Sequence, residues 1–414
     1  MTSFDQALNC ILQEVSPQGV EVCDLYSAHR RVLAEDVEAP YDLPGFDNSS
    51  MDGYALRSID TANATSENPV ELVVDGEVAP GEIYNGELRP STAIRIFTGA
   101  PIPSGADTVI EQEKVGAVEG RVFLDAPVPA GRNIRLRGED IVEGQRVLGE
   151  GTLLNAAQLA VLASLGFPTM RVYRKPRVAI LTTGDELAAV EDPLEEGKIR
   201  DSNSYALWSL VREAGCEPVP LQRANDSMVD LRERIQLGLS SDVLITSGGV
   251  SVGNRDLVLT ALSELGVEIR FWKVNIKPGM PFAFGSRRIG GRSTKVPVFA
   301  LPGNPVSTMV TFLQLVRPAL LKMRGLKNPA NLVKLFATME HDYEKNDSKR
   351  HFARGVVRNE NDALFVRTTG PQSSGVLTSM SSANCLIVIP EDVTIVQSGD
   401  RVEIQTVTEI VLPE

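Results

Sequence analysis

From residue 174 to about residue 326 the chain alternates short apolar runs with amphipathic ones, and this alternation limits its fold more than any other feature. Runs 177–181, 217–221, 243–246, 267–272 and 296–301 read as strands, and 204–214, 228–239, 256–265 and 306–323 as helices. Apolar strands separated by helices predict a doubly wound parallel α/β sheet, buried on both faces.

The flanks have a different texture. Ser3 and Gln6 form a capping-box pattern ahead of an amphipathic helix carrying Phe4, Leu8, Ile11, Leu12 and Val15, which reads as structure rather than as a signal peptide. Residues 41–140 hold frequent turn signals between runs 70–74, 93–97 and 121–124, the mark of a β-rich insert. Run 134–137 alternates apolar residues with Arg, as on a half-exposed strand. Asn155 caps a helix through Leu159, Leu162 and Leu165 that stops at Gly166, and packing of this helix on the N-terminal ones would make a discontinuous domain. Beyond residue 327 the runs 332–337, 355–358, 363–367, 385–389 and 401–407 predict a small antiparallel barrel or sandwich. The expected domains are 1–40 with 141–173, elongated and discontinuous; 41–140, the insert; 174–326, α/β; and 327–414, the β barrel.

Charge and cysteine content narrow the function. Against 54 Asp+Glu there are 41 Lys+Arg, a net charge of −13, so nucleic acid is not an expected partner and an anionic ligand must be held locally. Cys10, Cys23, Cys216 and Cys385 lack CxxC spacing and the three histidines lack HExxH, which argues against zinc, haem or a disulfide framework and for a cytoplasmic, reducing setting. The uncharged stretches 151–170, 296–316 and 368–390 are broken by Gly, Pro, Asn, Gln or Ser, so no membrane span is expected.

Three polar, Gly-containing loops follow strands of the α/β block: 182–186, 247–253 and 302–305. Ligands of open parallel sheets bind outside the carboxyl ends of the strands, so the three loops should converge on one crevice. Gly248 and Gly249 admit a ligand close to backbone N–H groups and read either as an anion cradle or as ordinary turn glycines. Asp185, Glu186, Asp201, Asp226 and Asp256 gather on the same edge. They read either as helix-start acids or, beside a phosphate, as a Mg²⁺ site, since this hard ion bridges protein carboxylates to substrate phosphates. Lys273 and Lys277 are candidate cations or plain surface lysines. Arg354 and the run 368–375, itself loop-like, are candidate donors from the C-terminal domain.

Longer motifs make the reading specific. The stretch 44–55 (PGFDNSSMDGYA), Thr98-Gly99-Ala100-Pro101, Arg137-Gly138-Glu139-Asp140, 183–187 (TGDEL), Ser247 to Gly253 and 301–305 (LPGNP) stand in the order seen in molybdopterin molybdenumtransferases. Over essentially its whole length the chain resembles this family, which includes MoeA and the E domains of gephyrin and plant Cnx. The resemblance implies a four-part subunit working as a homodimer, with the insert completing the partner's cleft. It also implies Mg²⁺-dependent cleavage of adenylylated molybdopterin, insertion of molybdate into the dithiolene and release of AMP, possible contact with the adenylyltransferase of the preceding step, and no membrane role. Carried over by position, Asp226 and Asp256 would serve Mg²⁺, and Ser251, with Gly248, Gly249, Pro302, Gly303 and Asn304, the substrate. Glu186 would be the acid of metal insertion; Lys273, Lys277, Arg354 and Ser374 would hold the pterin phosphate or molybdate; Asp52, Thr98 and Asp140 would act from the insert.

One position departs from the family. Many relatives have a second lysine where this chain has Met280, which lowers the expected oxyanion affinity and keeps a tungstate-handling variant open. Two other functions share parts of the pattern. An adenylyltransferase would have the Ser-Gly-Gly loop but no use for 41–140 and 327–414, and a gephyrin-like scaffold would have no need of the acids and cations.

Overall fold

The computed structural model describes residues 1–250, 257–290, 295–329 and 334–407, which form two compact units. One comprises 1–34, 151–155 and 169–414; the other 35–150 and 156–168.

In the first unit a six-stranded sheet runs in the order Glu217–Pro220, Arg177–Thr182, Val243–Ser247, Lys295–Leu301, Ala283–Arg288, Glu268–Trp272. The first four strands are parallel, as the alternation predicts. Ala283–Arg288 is antiparallel to both neighbours and was not singled out by periodicity. The links to it are too short for the crossover of a dozen or more residues that a parallel neighbour needs, so the chain doubles back as hairpins.

Successive residues of the central strands point to opposite faces. Val178, Ile180, Val243, Ile245, Phe299 and Leu301 meet helices Asn203–Glu213, Pro305–Thr311 and Phe4–Glu14. Ala179, Leu181, Leu244, Val298 and Ala300 meet Met228–Gly238 and Leu257–Glu264. The N-terminal helix starts as its capping box requires, with Ser3 Oγ accepting from Gln6 N–H and Gln6 Oε1 from Ser3 N–H, both at 3.3 Å. The helix expected over 306–323 widens to π geometry at Phe312–Val316. Pro318 has no N–H for the Gln314 carbonyl one turn back, and the helix loosens there before resuming at Arg317–Met323.

The strands Leu335–Met339, Arg350–Glu360, Ala363–Thr368, Cys385–Ile389 and Arg401–Thr406 close into a ring, because Cys385–Ile389 pairs with both Arg401–Thr406 and Arg350–Glu360. Closure removes exposed strand edges and encloses Met339, Val357, Val366, Ile387 and Ile404. The two-residue strand Ile276–Lys277 lies alongside Arg350 and His351, which brings Lys277 from the α/β block to the barrel wall. Val20–Asp24 pairs with Thr169–Tyr173, joining two distant parts of the chain.

The second unit carries the β-rich insert. Its sheet runs Thr108–Glu111, Gly53–Leu56, Thr92–Ile96, Val70–Val78, Arg121–Leu124, Gly116–Val118. Of the half-exposed run at 134–137, Ile134–Arg135 forms a short strand with Asn48–Ser49. The helix Ala156–Ser164 belongs to this unit, and Leu165 after it packs with Ala39 and Ile141.

The sheet face around Phe299 is close-packed, with ring centroids 5.1 Å from Phe284 and 6.4 Å from Phe282. Phe299→Ala should cost about 3–5 kcal/mol, since the neighbours cannot collapse fully into the space left. The expected result is a lower urea midpoint with an unchanged slope.

Candidate active site at the sheet edge

Because Arg177–Thr182, Val243–Ser247 and Lys295–Leu301 are parallel, their following loops leave the sheet on one edge. Backbone hydrogen bonds bind these loops together: Thr183 N–H donates to the Ser247 carbonyl at 3.1 Å and Gly248 N–H to the Leu301 carbonyl at 3.2 Å. Gly248 and Gly249 have φ of +99° and +65°. A Cβ on Gly248 would collide with the Thr183 carbonyl oxygen, and one on Gly249 would lie 2.5 Å from Val258 Cγ2. Glycine is required here by both φ and space.

Side chains complete the tie. Ser247 Oγ donates to the Pro302 carbonyl at 3.2 Å, and Thr308 Oγ1 donates to the same oxygen at 2.6 Å. Asn203 Nδ2 donates to Ser247 Oγ at 3.0 Å and to the Gly303 carbonyl at 2.7 Å, so one amide joins the second and third loops. A carbonyl only accepts, which fixes the amide orientation and leaves Asn203 Oδ1 buried without a hydrogen-bond partner among the described residues.

The acids divide by role. Asp201 is buried, accepts from Thr182 Oγ1 at 2.7 Å and from Ser204 N–H at 3.1 Å, and starts the helix after it. Asp226 is exposed and accepts from Thr183 Oγ1 at 3.2 Å, while its own N–H donates to Asp185 Oδ1 at 3.0 Å. Two exposed carboxylates thus lie beside the first loop. Glu186 is also exposed, and its carboxylate folds back over Gly184. Ser251 and Asp256 lie outside the described residues.

The expected cations stand differently from one another. Arg354 is 1% exposed, with Nε donating to Ser379 Oγ and Nη2 to the Ser373 carbonyl, both at 3.1 Å. Burial pushes its pKa below the usual guanidinium value, yet no carboxylate bonds it among the described residues. It therefore lies beneath the 372–374 loop, not at its surface. Ser374 Oγ, above it, accepts from Asn304 Nδ2 at 3.0 Å, which joins this loop to the third sheet-edge loop. Lys273 has φ +71° and its ammonium sits 4.2 Å from the Trp272 ring centroid. Lys277 is exposed and pairs with Asp347 at 3.3 Å. The Met280 carbonyl accepts from Val274 and Phe282, so this residue fixes the turn through its backbone.

In the second unit, Asp52 Oδ1 accepts from both the N–H and the Oγ1 of Thr98 at 2.8 Å. The Thr98 N–H, followed by its hydroxyl, holds the Asp52 carboxyl below the ordinary value. Asp140 is exposed, and its N–H donates to the Leu43 carbonyl at 3.1 Å.

No group of three or more His, Cys, Asp or Glu that could hold a metal ion occurs among the described residues. Asp226 and Asp185 are linked through the Asp226 N–H, and a Mg²⁺ site commonly needs only one or two protein carboxylates together with water and substrate phosphate. Asn203 and the group Tyr343, Asp347 and His351 were not foreseen from sequence. Their partners lie 44 and 100 residues away for Asn203 and 70 residues away for the Asp347–Lys277 pair, beyond the reach of local spacing.

Three family models match in succession: the MoeA N-terminal region (domain I and II) over 2–166, a probable molybdopterin binding domain over 179–322, and the MoeA C-terminal region (domain IV) over 337–407. The α/β fold with its glycine-lined edge is thus that of a molybdopterin-binding domain. The molybdopterin molybdenumtransferase of Nostoc sp. is 38% identical over 397 residues, 94% of this chain and 88% of its own length. That of Haemophilus influenzae is 36% identical over 98% of each chain. The molybdopterin biosynthesis moeA protein of Pyrococcus horikoshii OT3 superposes with a TM-score of 0.83 at 32% identity, over 98% of this chain and all of that one. The chain belongs to the molybdopterin molybdenumtransferase family, and so is a transferase of molybdenum cofactor biosynthesis.

Gly248→Ala should fold with the loop after Val243–Ser247 displaced from Thr183. The expected outcome is near-normal far-UV circular dichroism with molybdopterin binding weakened at least tenfold, checked by fluorescence titration.

Proposed function

We propose that the sheet-edge crevice takes adenylylated molybdopterin and molybdate, hydrolyses the phosphoanhydride with water and Mg²⁺ to release AMP, and inserts molybdenum into the dithiolene. The observation that supports this most is the joining of the three strand-end loops by Asn203 and Gly248, with Asp226 bonded to Asp185 at the first of them. The full-length family match favours this activity over that of an adenylyltransferase, because 2–166 and 337–407 are also accounted for.

In this reading the Gly248–Gly249 turn and Ser251 take the adenylyl phosphate. Asp226 and Asp256 hold Mg²⁺, with Asp185 beside Asp226. The ion supplies charge neutralisation at the phosphoanhydride oxygens when bound. Lys273, Lys277, Ser374 and Asn304 bind the pterin phosphate or molybdate, and Arg354 stiffens the 372–374 loop from below. An oxygen displaced from molybdate leaves as water, with the two protons shed by the dithiol. The exposed Glu186 carboxylate carries protons between them. Asp52, Thr98 and Asp140 act from the insert across a homodimer, in the cytoplasm. Molybdate against tungstate is decided in part by Met280.

Two measurements test the proposal. Asp226→Asn keeps the shape and removes the charge a hard cation needs, so single-turnover AMP release should fall at least tenfold and its Mg²⁺ half-saturation should rise. Unchanged rates across the titration would return Asp226 to a loop acid. If the insert serves its partner, a mixture of Asp52→Asn and Asp226→Asn subunits should regain up to about a quarter of wild-type activity after reassociation, whereas each alone stays inactive. No recovery in a confirmed mixed dimer would place both residues in one subunit's cleft.

A further inference from the structure

Lys277 reaches the barrel wall through the pairing of Ile276–Lys277 with Arg350–His351. Its Nζ lies 3.3 Å from Asp347 Oδ2. Asp347 does not depend on that lysine for its place. His351 Nε2 is 2.7 Å from its Oδ1, which also accepts from the Lys349 N–H at 3.2 Å. His351 is 3% exposed, and its Nδ1 is 2.9 Å from the Tyr343 hydroxyl, whose ring it meets edge-on. Burial pushes the His351 pKa down against the pull of Asp347. Burial also pushes Asp347 up, but the bonds from His351 and Lys349 outweigh it and carry the carboxyl to about 2. A neutral imidazole bonded through Nε2 to a carboxylate keeps its proton there, so Nδ1 accepts and Tyr343 donates.

The result is a row, Tyr343 to His351 to Asp347, that ends on Lys277. Tyr343, His351 and Lys277 line a cavity of about 780 Å³ together with Gln372 and Ser373. Two other cations nearby are engaged: Lys345 Nζ donates to the carbonyls of Lys349, Pro390 and Glu391, and Arg354 to Ser379 Oγ and the Ser373 carbonyl. Lys277 has three N–H donors and shares one with Asp347, so it has donors to spare for a ligand in the cavity.

We propose that Asp347, paired with Lys277, competes by its fixed charge with the oxyanion that Lys277 binds. Clamped from behind by His351, with Tyr343 behind that, and by the Lys349 N–H, the carboxylate cannot withdraw when an anion arrives. It lowers the affinity of the site, which favours release. The inference rests on the assignment of Lys277 to the oxyanion made above.

The test uses the full chain without molybdopterin and molybdate alone as the probe, measured by equilibrium dialysis with elemental detection at low and high salt. Asp347→Asn should tighten molybdate binding roughly three- to tenfold at low salt, the size expected for removing one unit charge a few ångströms from a partly screened anion. The gain should shrink at high salt. A damaged fold weakens binding, so a gain separates this role from a merely structural one. Asp347→Ser, which removes the charge and leaves room, serves as the second variant and should show the same gain. In a Lys277→Met background the gain should fall away. If Lys277→Met weakens binding while neither Asp347 variant tightens it, this inference alone is overturned. If Lys277→Met binds as wild type does, the oxyanion assignment of Lys277 fails and the inference fails with it.

Discussion

The close approach of Gly248 to the Thr183 carbonyl is the contact on which the crevice depends. A side chain there would hold the second strand-end loop away from the first, and the Thr183 N–H could no longer reach the Ser247 carbonyl. With the two backbones in contact, Asn203 spans from Ser247 to Gly303 and the Asp226 N–H reaches Asp185. The sheet supplies the rigidity behind this edge, since both faces of Val243–Ser247 are buried by helices.

A buried acceptor left unpaired costs about 1–3 kcal/mol, and Asn203 Oδ1 has no partner among the described residues. Here the same side chain makes two bonds that join loops distant in sequence, and the orphan oxygen is the consequence of aiming its amide at two acceptors. Arg354 shows a related compromise: a guanidinium in the barrel wall with hydroxyl and carbonyl acceptors and no counter-charge among the described residues. Its burial orders the loop that presents Ser374 to Asn304, so the barrel and the α/β domain meet at the edge where the family's chemistry is expected.

Much of the architecture was legible from the chain alone. The parallel strands, their helices and the three loops followed from periodicity, because strands buried on both faces must be apolar throughout and their connections must be polar. The C-terminal strands were visible as short runs, but whether they formed a barrel or a sandwich depended on Cys385–Ile389 pairing on both sides, which no local signal encodes. The reversed strand Ala283–Arg288 was missed because its sequence ends in Ser-Arg-Arg and lacks the continuous apolar run of its neighbours. Among the site residues, Asp201 separated from Asp226 only through burial, the first enclosed by Thr182 and Ser204, the second exposed beside Asp185.

The sequence by itself determined which residue types stand at the ends of which strands, because the turn glycines, the helix-start acids and the apolar periods are local requirements of backbone and solvent. It also carried the family, through ordered motifs spread along the chain. Only the tertiary structure decided which charges remain available. Lys277 and Arg354 read alike as cations, yet one lies exposed against a clamped Asp347 and the other is sealed beneath Ser373 and Ser379. That difference arises from pairings across 70 and 25 residues, and the free energy of a charge is set by what surrounds it in space rather than by its neighbours along the chain.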